Sequence, residues 1–138
     1  MITKRYHFET IDSTNKKARE LAEAGCADGT LVTSDAQEAG VGRRGRSWSS
    51  EKGTGIYMSM VLRPQIDTTN VSMLTLIAAM AVTKVLKDKG VLSEETPCIK
   101  WPNDIVIHKK KICGILTELG LEKTEVEYVI IGIGINVT

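Results

Sequence analysis

Residues 98–137 read CIKWPNDIVIHKKKICGILTELGLEKTEVEYVIIGIGINV and carry four apolar runs in succession. Apolar runs separated by turn-forming residues are typical of β-strands joined in hairpins. The polar residues from His108 to Lys111 predict one such hairpin connection. The stretch therefore predicts four successive strands: Cys98–Trp101, Ile105–His108, Ile112–Glu118 and Val126–Val137.

The segments before this stretch predict three more strands and two helices. Capping side chains between Asp12 and Asn15 precede apolar residues at helical spacing, and Gly25 suits the end of that helix. The second helix has one continuous apolar stripe, made of Leu74, Ile77, Ala78, Ala81, Val82, Val85 and Leu86. The additional strands are Tyr6–Phe8, Leu31–Ser34 and Ile56–Leu62, with a loop from Glu38 to Gly55. Together these elements predict an α+β fold with a mixed, largely antiparallel sheet and helices on one side.

The bulk composition indicates one ordinary globular domain of 138 residues, 42% hydrophobic and 25% charged. Eighteen Lys and Arg balance seventeen Asp and Glu, so the net charge of +1 favours neither nucleic acid nor an anionic membrane. No stretch is expected to span a bilayer. The three cysteines lack metal-ligand spacing, which predicts reduced thiols and a cytoplasmic protein.

The loop from Gln37 to Trp48, QEAGVGRRGRSW, is the first candidate site. Its glycines permit close backbone approach to a ligand, and its three arginines suit carboxylate or phosphate. A solvated basic loop and a nucleic-acid contact are open alternatives, since arginine with an aromatic side chain also suits bases. The phosphate-binding pattern G-x-x-x-x-G-K-[ST] is absent.

Four further segments have both a plain and a functional interpretation. Lys100–Asp104, KWPND, is explained as a turn after a strand. Lys111 leads directly into an apolar strand that contains Gly114, so its side chain could point into a pocket. Gly132 and Gly134 leave one strand face bare, either for a thin ligand or for a closely packed helix. Residues 13–15, Ser-Thr-Asn, are explained by helix capping or by contacts with a polar ring.

In this order, the five segments resemble the biotin–protein ligase family. The family pattern is S-T-N, Q-x-x-G-x-G-R-x-x-R-x-W, K-W-P-N-D, K-[IL]-x-G-[IV]-L-x-E and G-x-G-x-N, and all five are present with family-like gaps between Tyr6 and Val137. The resemblance implies a class II synthetase-like biotin/lipoate ligase fold. It also implies activation of biotin with ATP to biotinyl-5'-AMP, Mg²⁺, and transfer to a lysine of a biotin carboxyl carrier protein.

The resemblance also implies site residues. The catalytic residues would be Arg43 and Lys111, with no protein metal site. Biotin would contact Ser13, Thr14, Asn15, Gln37, Gly40, Gly42, Arg43, Lys111, Gly114 and Gly134. The nucleotide would contact Arg44, Arg46, Trp48, Lys100, Asn103, Asp104 and Asn136.

The chemistry agrees with these roles. A carboxylate must approach the α-phosphate of ATP, and because both are anions the reaction needs positive charge and alignment rather than a base. Arg43 and Lys111 would supply that charge. In the second step a carrier lysine must lose its proton, and Asp104 is the nearest candidate to orient the amine.

Two features depart from the family pattern. Position 41 is Val, where many relatives have Arg. The chain also ends at Thr138, with no helix-turn-helix ahead of Tyr6 and no C-terminal β-barrel, so we expect residues 1–138 to be the N-terminal portion of the catalytic domain. Uncovered sheet surface would then favour a homodimer or larger assembly.

Alternative functions remain open. A lipoate or octanoyl transferase would have a similar fold, but the arginine loop and KWPND favour biotin. A biotin-adenylate binder without catalysis is a second alternative. A nucleic-acid module is disfavoured by the neutral net charge.

Overall fold

The structure is a computed structural model of the chain, and it describes residues 1–91 and 94–137. The elements in chain order are β1 (Lys4–Ile11), α1 (Thr14–Glu23), β2 (Thr30–Gln37), β3 (Gly55–Leu62), α2 (Val71–Asp88), β4 (Cys98–Lys100), β5 (Asp104–Ile107), β6 (Lys110–Glu122) and β7 (Glu125–Asn136). Each predicted strand and helix is confirmed, and the strand predicted at Tyr6–Phe8 extends further in both directions.

The seven strands form one sheet in the order β1-β2-β3-β7-β6-β5-β4. Only β1 and β2 pair in parallel among these strands, and α1 connects them. The mixed, largely antiparallel sheet is therefore confirmed. His108 and Lys109, with φ of 49° and 64°, make the predicted turn between β5 and β6. Left-handed backbone at both central residues is typical of tight hairpin turns.

The prediction that both helices lie on one side of the sheet is wrong. Tyr128 and Ile130 of β7 pack with Ala18 and Ala22 of α1. The residues that alternate with them, Val129 and Ile131, pack in a separate cluster with α2. Since successive strand residues point to opposite faces, α1 and α2 cover opposite faces of the sheet. We call these the α1 face and the α2 face.

Helix α2 packs only part of the predicted stripe on the sheet, since Leu74, Ala78 and Val82 contact the core while other members of the stripe face outward. Val71 and Ala79 are buried against the sheet, whereas Ile77 and Val85 are 54% and 56% exposed. The helix is apolar around most of its circumference, so apolar spacing alone could not identify the inner side. Residues Thr68–Asp88, with a mean hydropathy of 1.5, are also long and apolar enough to cross a bilayer, contrary to expectation. In this fold, Thr75 hydrogen-bonds Thr117 of β6, as expected of a helix packed on a sheet.

Candidate functional site

Along β7, the residues on the α1 face change from large side chains to glycines. Tyr128 and Ile130 fill the space under α1, but Gly132 and Gly134 follow on the same face. Gly134 pairs with Gly114 of β6, so two adjacent strands lack side chains at one place. This surface forms the floor of a cleft.

Two side chains from elsewhere in the chain lie on this floor. A Cβ atom at Gly134 would lie 2.6 Å from the indole of Trp48, and one at Gly114 would lie 2.8 Å from it. The amide of Asn15, at the start of α1, occupies the corresponding space over Gly132. The predicted bare stripe is therefore shared between close helix packing at Gly132 and an aromatic wall at Gly134. Sequence reasoning assigned Trp48 to the nucleotide and did not predict its position here.

The loop that carries Trp48 is a small hairpin. Trp48 N donates to Gly40 O at 2.8 Å, and Gly42 N donates to Arg46 O at 2.6 Å. A Cβ atom at Gly40 would lie 2.5 Å from the carbonyl oxygen of Trp48, so the close approach requires glycine. The indole Nε1 of Trp48 is buried and has no hydrogen-bond partner among the described residues.

One end of the cleft is polar and uncharged. Ser13 caps α1 by accepting from Lys16 N at 3.3 Å, and this places Thr14 and Asn15 in the first turn. Gln37 Oε1 accepts from Thr14 N at 2.8 Å and from Thr14 Oγ1 at 3.1 Å. Because these groups are buried or partly buried and hydrogen-bonded to one another, their positions are fixed before a ligand arrives.

The other end of the cleft is cationic. Lys111 Nζ lies 2.9 Å from Asp104 Oδ1 and 5.0 Å from the centroid of a Trp48 ring. Arg43 lines this end and is exposed. The Asp104 carboxylate holds the Lys111 ammonium over the indole, so a positive charge is positioned at the edge of the floor.

The predicted site residues are largely brought together. The predicted biotin residues line the cleft, except Gly40, which supports the loop: Ser13, Thr14, Asn15, Gln37, Gly42, Arg43, Lys111, Gly114 and Gly134. An adjoining opening gathers the predicted nucleotide residues Arg44, Arg46, Trp48, Asn103 and Asp104. Lys100 and Asn136 line neither space. Asn136 Nδ2 instead donates to Lys111 O at 3.2 Å.

Asn103 has a structural contact as well as a place in the cleft. It is buried, and its Nδ2 donates to Ile115 O at 2.9 Å while Ile115 N donates to Asn103 O at the same distance. These bonds attach the turn after β4 to β6. The KWPND segment is therefore both the turn of its plain interpretation and a wall of the candidate site.

Two polar residues next to the cleft were not predicted from the sequence. Ser59 of β3 is fully buried between Thr14 and Asn15. Glu118 accepts from Asn15 Nδ2 at 2.9 Å and pairs with Arg19. Available signals were the polar Ser59 in an alternating apolar strand and the acidic end of the segment Lys111–Glu118.

The described residues do not contain a group of three or more His, Cys, Asp or Glu side chains placed to hold a metal ion. Asp104 is a single carboxylate already paired with Lys111. These residues do not form a metal cage.

Comparisons with known proteins agree with this arrangement. Residues 7–136 match the biotin/lipoate A/B protein ligase family. The bifunctional ligase/repressor BirA of Bacillus subtilis is 48% identical over 132 residues, which are 96% of this chain and 39% of that protein. A biotin–[acetyl-CoA-carboxylase] ligase of Paracoccus denitrificans is 37% identical over 91% of this chain and 51% of its own length.

A solved structure has the same fold. The biotin protein ligase of Aquifex aeolicus in complex with biotin and ATP superposes with a TM-score of 0.79 at 33% identity. The match covers 98% of this chain and 53% of that one. This chain therefore spans about half or less of the length of these relatives, and on the extent of the family match it belongs to the biotin/lipoate A/B protein ligase family.

Proposed function

We propose that the chain binds biotin in the glycine-floored cleft and joins it to AMP from ATP, which gives biotinyl-5'-AMP. The activated biotin then passes to a lysine of a biotin carboxyl carrier protein. One observation carries the proposal: a single cleft joins an uncharged polar end, at Ser13, Thr14 and Gln37, to a cationic end at Arg43 and Lys111. Biotin has the same division, with a polar ring at one end and a carboxylate at the other.

The polar end suits the ring. Ser13, Thr14 and Gln37 offer hydroxyl and amide groups without charge. A neutral ring with hydrogen-bond donors and an acceptor would satisfy these groups without the cost of burying an unpaired charge.

The cationic end suits the reacting groups. The carboxylate of biotin and the α-phosphate of ATP repel each other, and Lys111 and Arg43 would reduce that repulsion in the transition state. Asp104 keeps the Lys111 ammonium in place and leaves part of its charge available, since the side chain is 42% exposed. The carboxylate then attacks the α-phosphorus, pyrophosphate leaves, and no proton is transferred.

The loop from Gly40 to Trp48 would protect the product. A mixed anhydride is hydrolysed by water, and a wall made by the Trp48 indole restricts water access from that side. In the second step the neutral ε-amino group of the carrier lysine attacks the acyl carbon, AMP leaves, and the amine gives up one proton to the solvent. Asp104 is our candidate to orient that amine, because it lies in the opening next to Lys111.

Two related proposals concern the protein's setting. Self-association into a homodimer or larger assembly is supported by exposed apolar side chains on the outer side of α2, namely Met73, Ile77, Met80 and Val85. Three free thiols support a reducing, cytoplasmic setting. Sedimentation across a dilution series tests the assembly.

The function is tested by adding biotin, lipoate, ATP or an oligonucleotide to the purified chain and measuring thermal unfolding and pyrophosphate release. We expect biotin to raise the unfolding midpoint, and pyrophosphate to appear only when both biotin and ATP are present. A larger shift with lipoate would identify the alternative substrate. A shift with biotin but no pyrophosphate would identify a binder without catalysis.

A further inference from the structure

Glu118 ends the segment that begins at Lys111, and it has no role in the function proposed above. It lies on the α1 face of β6 with its side chain 21% exposed, and Arg19 pairs with its Oε2. Its Oε1 accepts from Asn15 Nδ2 at 2.9 Å. Because an ionised carboxylate only accepts hydrogen bonds, Glu118 fixes the amide of Asn15 with its nitrogen toward Glu118 and its oxygen toward Ser59.

The orientation of the Asn15 amide determines where the hydroxyl proton of Ser59 points. Its hydroxyl is fully buried and lies 2.5 Å from Asn15 Oδ1 and 2.8 Å from Thr14 Oγ1. The amide oxygen of Asn15 only accepts, so Ser59 must donate its one proton there and cannot also donate to Thr14. Since the contact with Asn15 is the shorter, Thr14 Oγ1 lacks a full donor from this side.

A second series of hydrogen bonds reaches Thr14 from the loop. The carbonyl oxygen of Trp48 accepts from Ser50 Oγ at 3.1 Å, and Ser50 Oγ accepts from Gln37 Nε2 at 2.8 Å. Gln37 must therefore turn its oxygen toward Thr14, whose hydroxyl donates to it at 3.1 Å. The network ends on an acceptor in both directions, at the Trp48 carbonyl and at Glu118. With the Ser59 proton directed to Asn15, Thr14 Oγ1 receives no proton from this network, and Thr14 lines the cleft.

We infer that Glu118 is a positioning residue that keeps Thr14 Oγ1 as an acceptor for an N–H group of the ligand, through Asn15 and Ser59. The inference rests on the proposed function, since the ureido ring of biotin carries two N–H groups. Glu118 does not line the cleft, so its effect on the ligand is transmitted by the direction of hydrogen bonds.

Replacing Glu118 by Gln should reverse that direction. Arg19 only donates, so it retains the oxygen of the new amide and the NH₂ group faces Asn15. Asn15 then turns its oxygen toward position 118 and its nitrogen toward Ser59. Ser59 accepts from Asn15, and its proton becomes available to Thr14. The network is now satisfied internally, and Thr14 no longer needs a donor from the ligand.

The experiment measures biotin affinity by titration calorimetry and unfolding without ligand, for the parent chain and for Glu118→Gln. We expect about tenfold weaker biotin binding, the value of one ligand hydrogen bond. Stability without ligand should be unchanged or higher, whereas a merely structural carboxylate would leave the variant less stable. Glu20→Gln is the matched control, because Glu20 pairs with Lys17 on the same helix at 3.5 Å and is away from the cleft.

A double-mutant cycle with Thr14→Val tests the route. If Glu118 acts through the Thr14 hydroxyl, Glu118→Gln should weaken biotin binding less than about twofold once Thr14 is Val. Equal biotin affinity of the parent and Glu118→Gln would overturn the inference, and so would a full tenfold loss that persists in the Thr14→Val background. Absence of biotin binding by the parent chain would overturn the proposed function itself and this inference with it.

Discussion

The twelve residues of β7 alternate between two faces of the sheet, and the two faces have different roles. On the α2 face, Val129, Ile131, Ile133 and Ile135 form an unbroken apolar row that packs with the core. On the α1 face the row begins in the same way but continues as Gly132 and Gly134, under Asn15 and Trp48. One face buries apolar surface, and the other leaves room for groups that a ligand can contact.

This difference separates stability from binding along a single strand. Apolar burial on the α2 face contributes most where side chains are large and closely packed. The glycine positions contribute no side chain, and their neighbours include the buried, unpaired Nε1 of Trp48. A substitution on one face should therefore change stability with little change in binding, and a substitution on the other should have the opposite result.

The largest expected effect is on the α2 face. Ile131→Ala removes a side chain that is 7% exposed and leaves a cavity, which should lower the free energy of unfolding by about 3 kcal/mol. Biotin affinity of the folded fraction should change less than about twofold, because Ile131 points away from the cleft. Urea unfolding and calorimetric titration of the same preparation measure both. A tenfold loss of affinity with normal stability would refute the division between the faces.

The next effect is catalytic and lies on the α1 face. Lys111→Ala should lower the rate of biotin-dependent pyrophosphate release by about a hundredfold or more, as expected for loss of a charge that stabilises the transition state. Unfolding should hardly change, since Lys111 is 42% exposed. Lys109→Ala is the control, because Lys109 occupies the exposed hairpin turn before the same strand. Equal rates for the two variants would remove Lys111 from the chemistry.

The sequence predicted the elements better than their arrangement. Spacing of apolar residues located α1, α2 and the strands, and the turn at His108 and Lys109 was confirmed. The prediction that both helices lie on one side of the sheet was wrong. Helix α2 is apolar on both its inner and outer sides, so its pattern does not identify the face on which it packs.

The sequence motifs predicted only part of the site. Gln37, Lys111, Gly114 and Gly134 converge as the ordered segments indicated. Ser59 and Glu118 were missed, because their importance comes from which groups they meet across the sheet, at separations of 44 and 103 residues from Asn15. Trp48 was assigned to the nucleotide alone, and it lines both the glycine-floored cleft and the adjoining opening, since a flat side chain suits either place.

A smaller effect is expected when the two faces are compared at adjacent positions. Gly134→Ala places a Cβ atom 2.6 Å from the Trp48 indole, so the indole must shift. We expect about tenfold weaker biotin binding, equivalent to about 1.4 kcal/mol, because the wall of the cleft is displaced. Tryptophan fluorescence should change in the same variant without ligand. Ile135→Val, next along the strand on the α2 face, is the control and should leave both readings near those of the parent.

The smallest effect concerns Cys113, which lies next to Gly114 in the chain but points to the α2 face. Burial raises the pKa of its thiol from 9.0 to about 12, while the nearby Lys111 lowers the pKa and Asp104 raises it. In the unfolded chain the thiol ionises from about pH 9, whereas in the folded chain it stays protonated until about pH 12. The unfolded state then binds fewer protons, so this group makes stability fall as pH rises through that interval.

Between pH 8 and pH 10 the loss of stability should be on the order of 1 kcal/mol. The loss should be absent in Cys113→Ala, whose overall stability is lower at both pH values because of the cavity. Chemical unfolding of the two proteins at each pH measures the difference in slope, which separates this thiol from lysine and tyrosine groups common to both. In the parent, an alkylating reagent should label the exposed Cys98 first and Cys113 last. Rapid labelling of Cys113 in the folded protein, together with equal pH slopes, would show that the α2 face is not closed at this position.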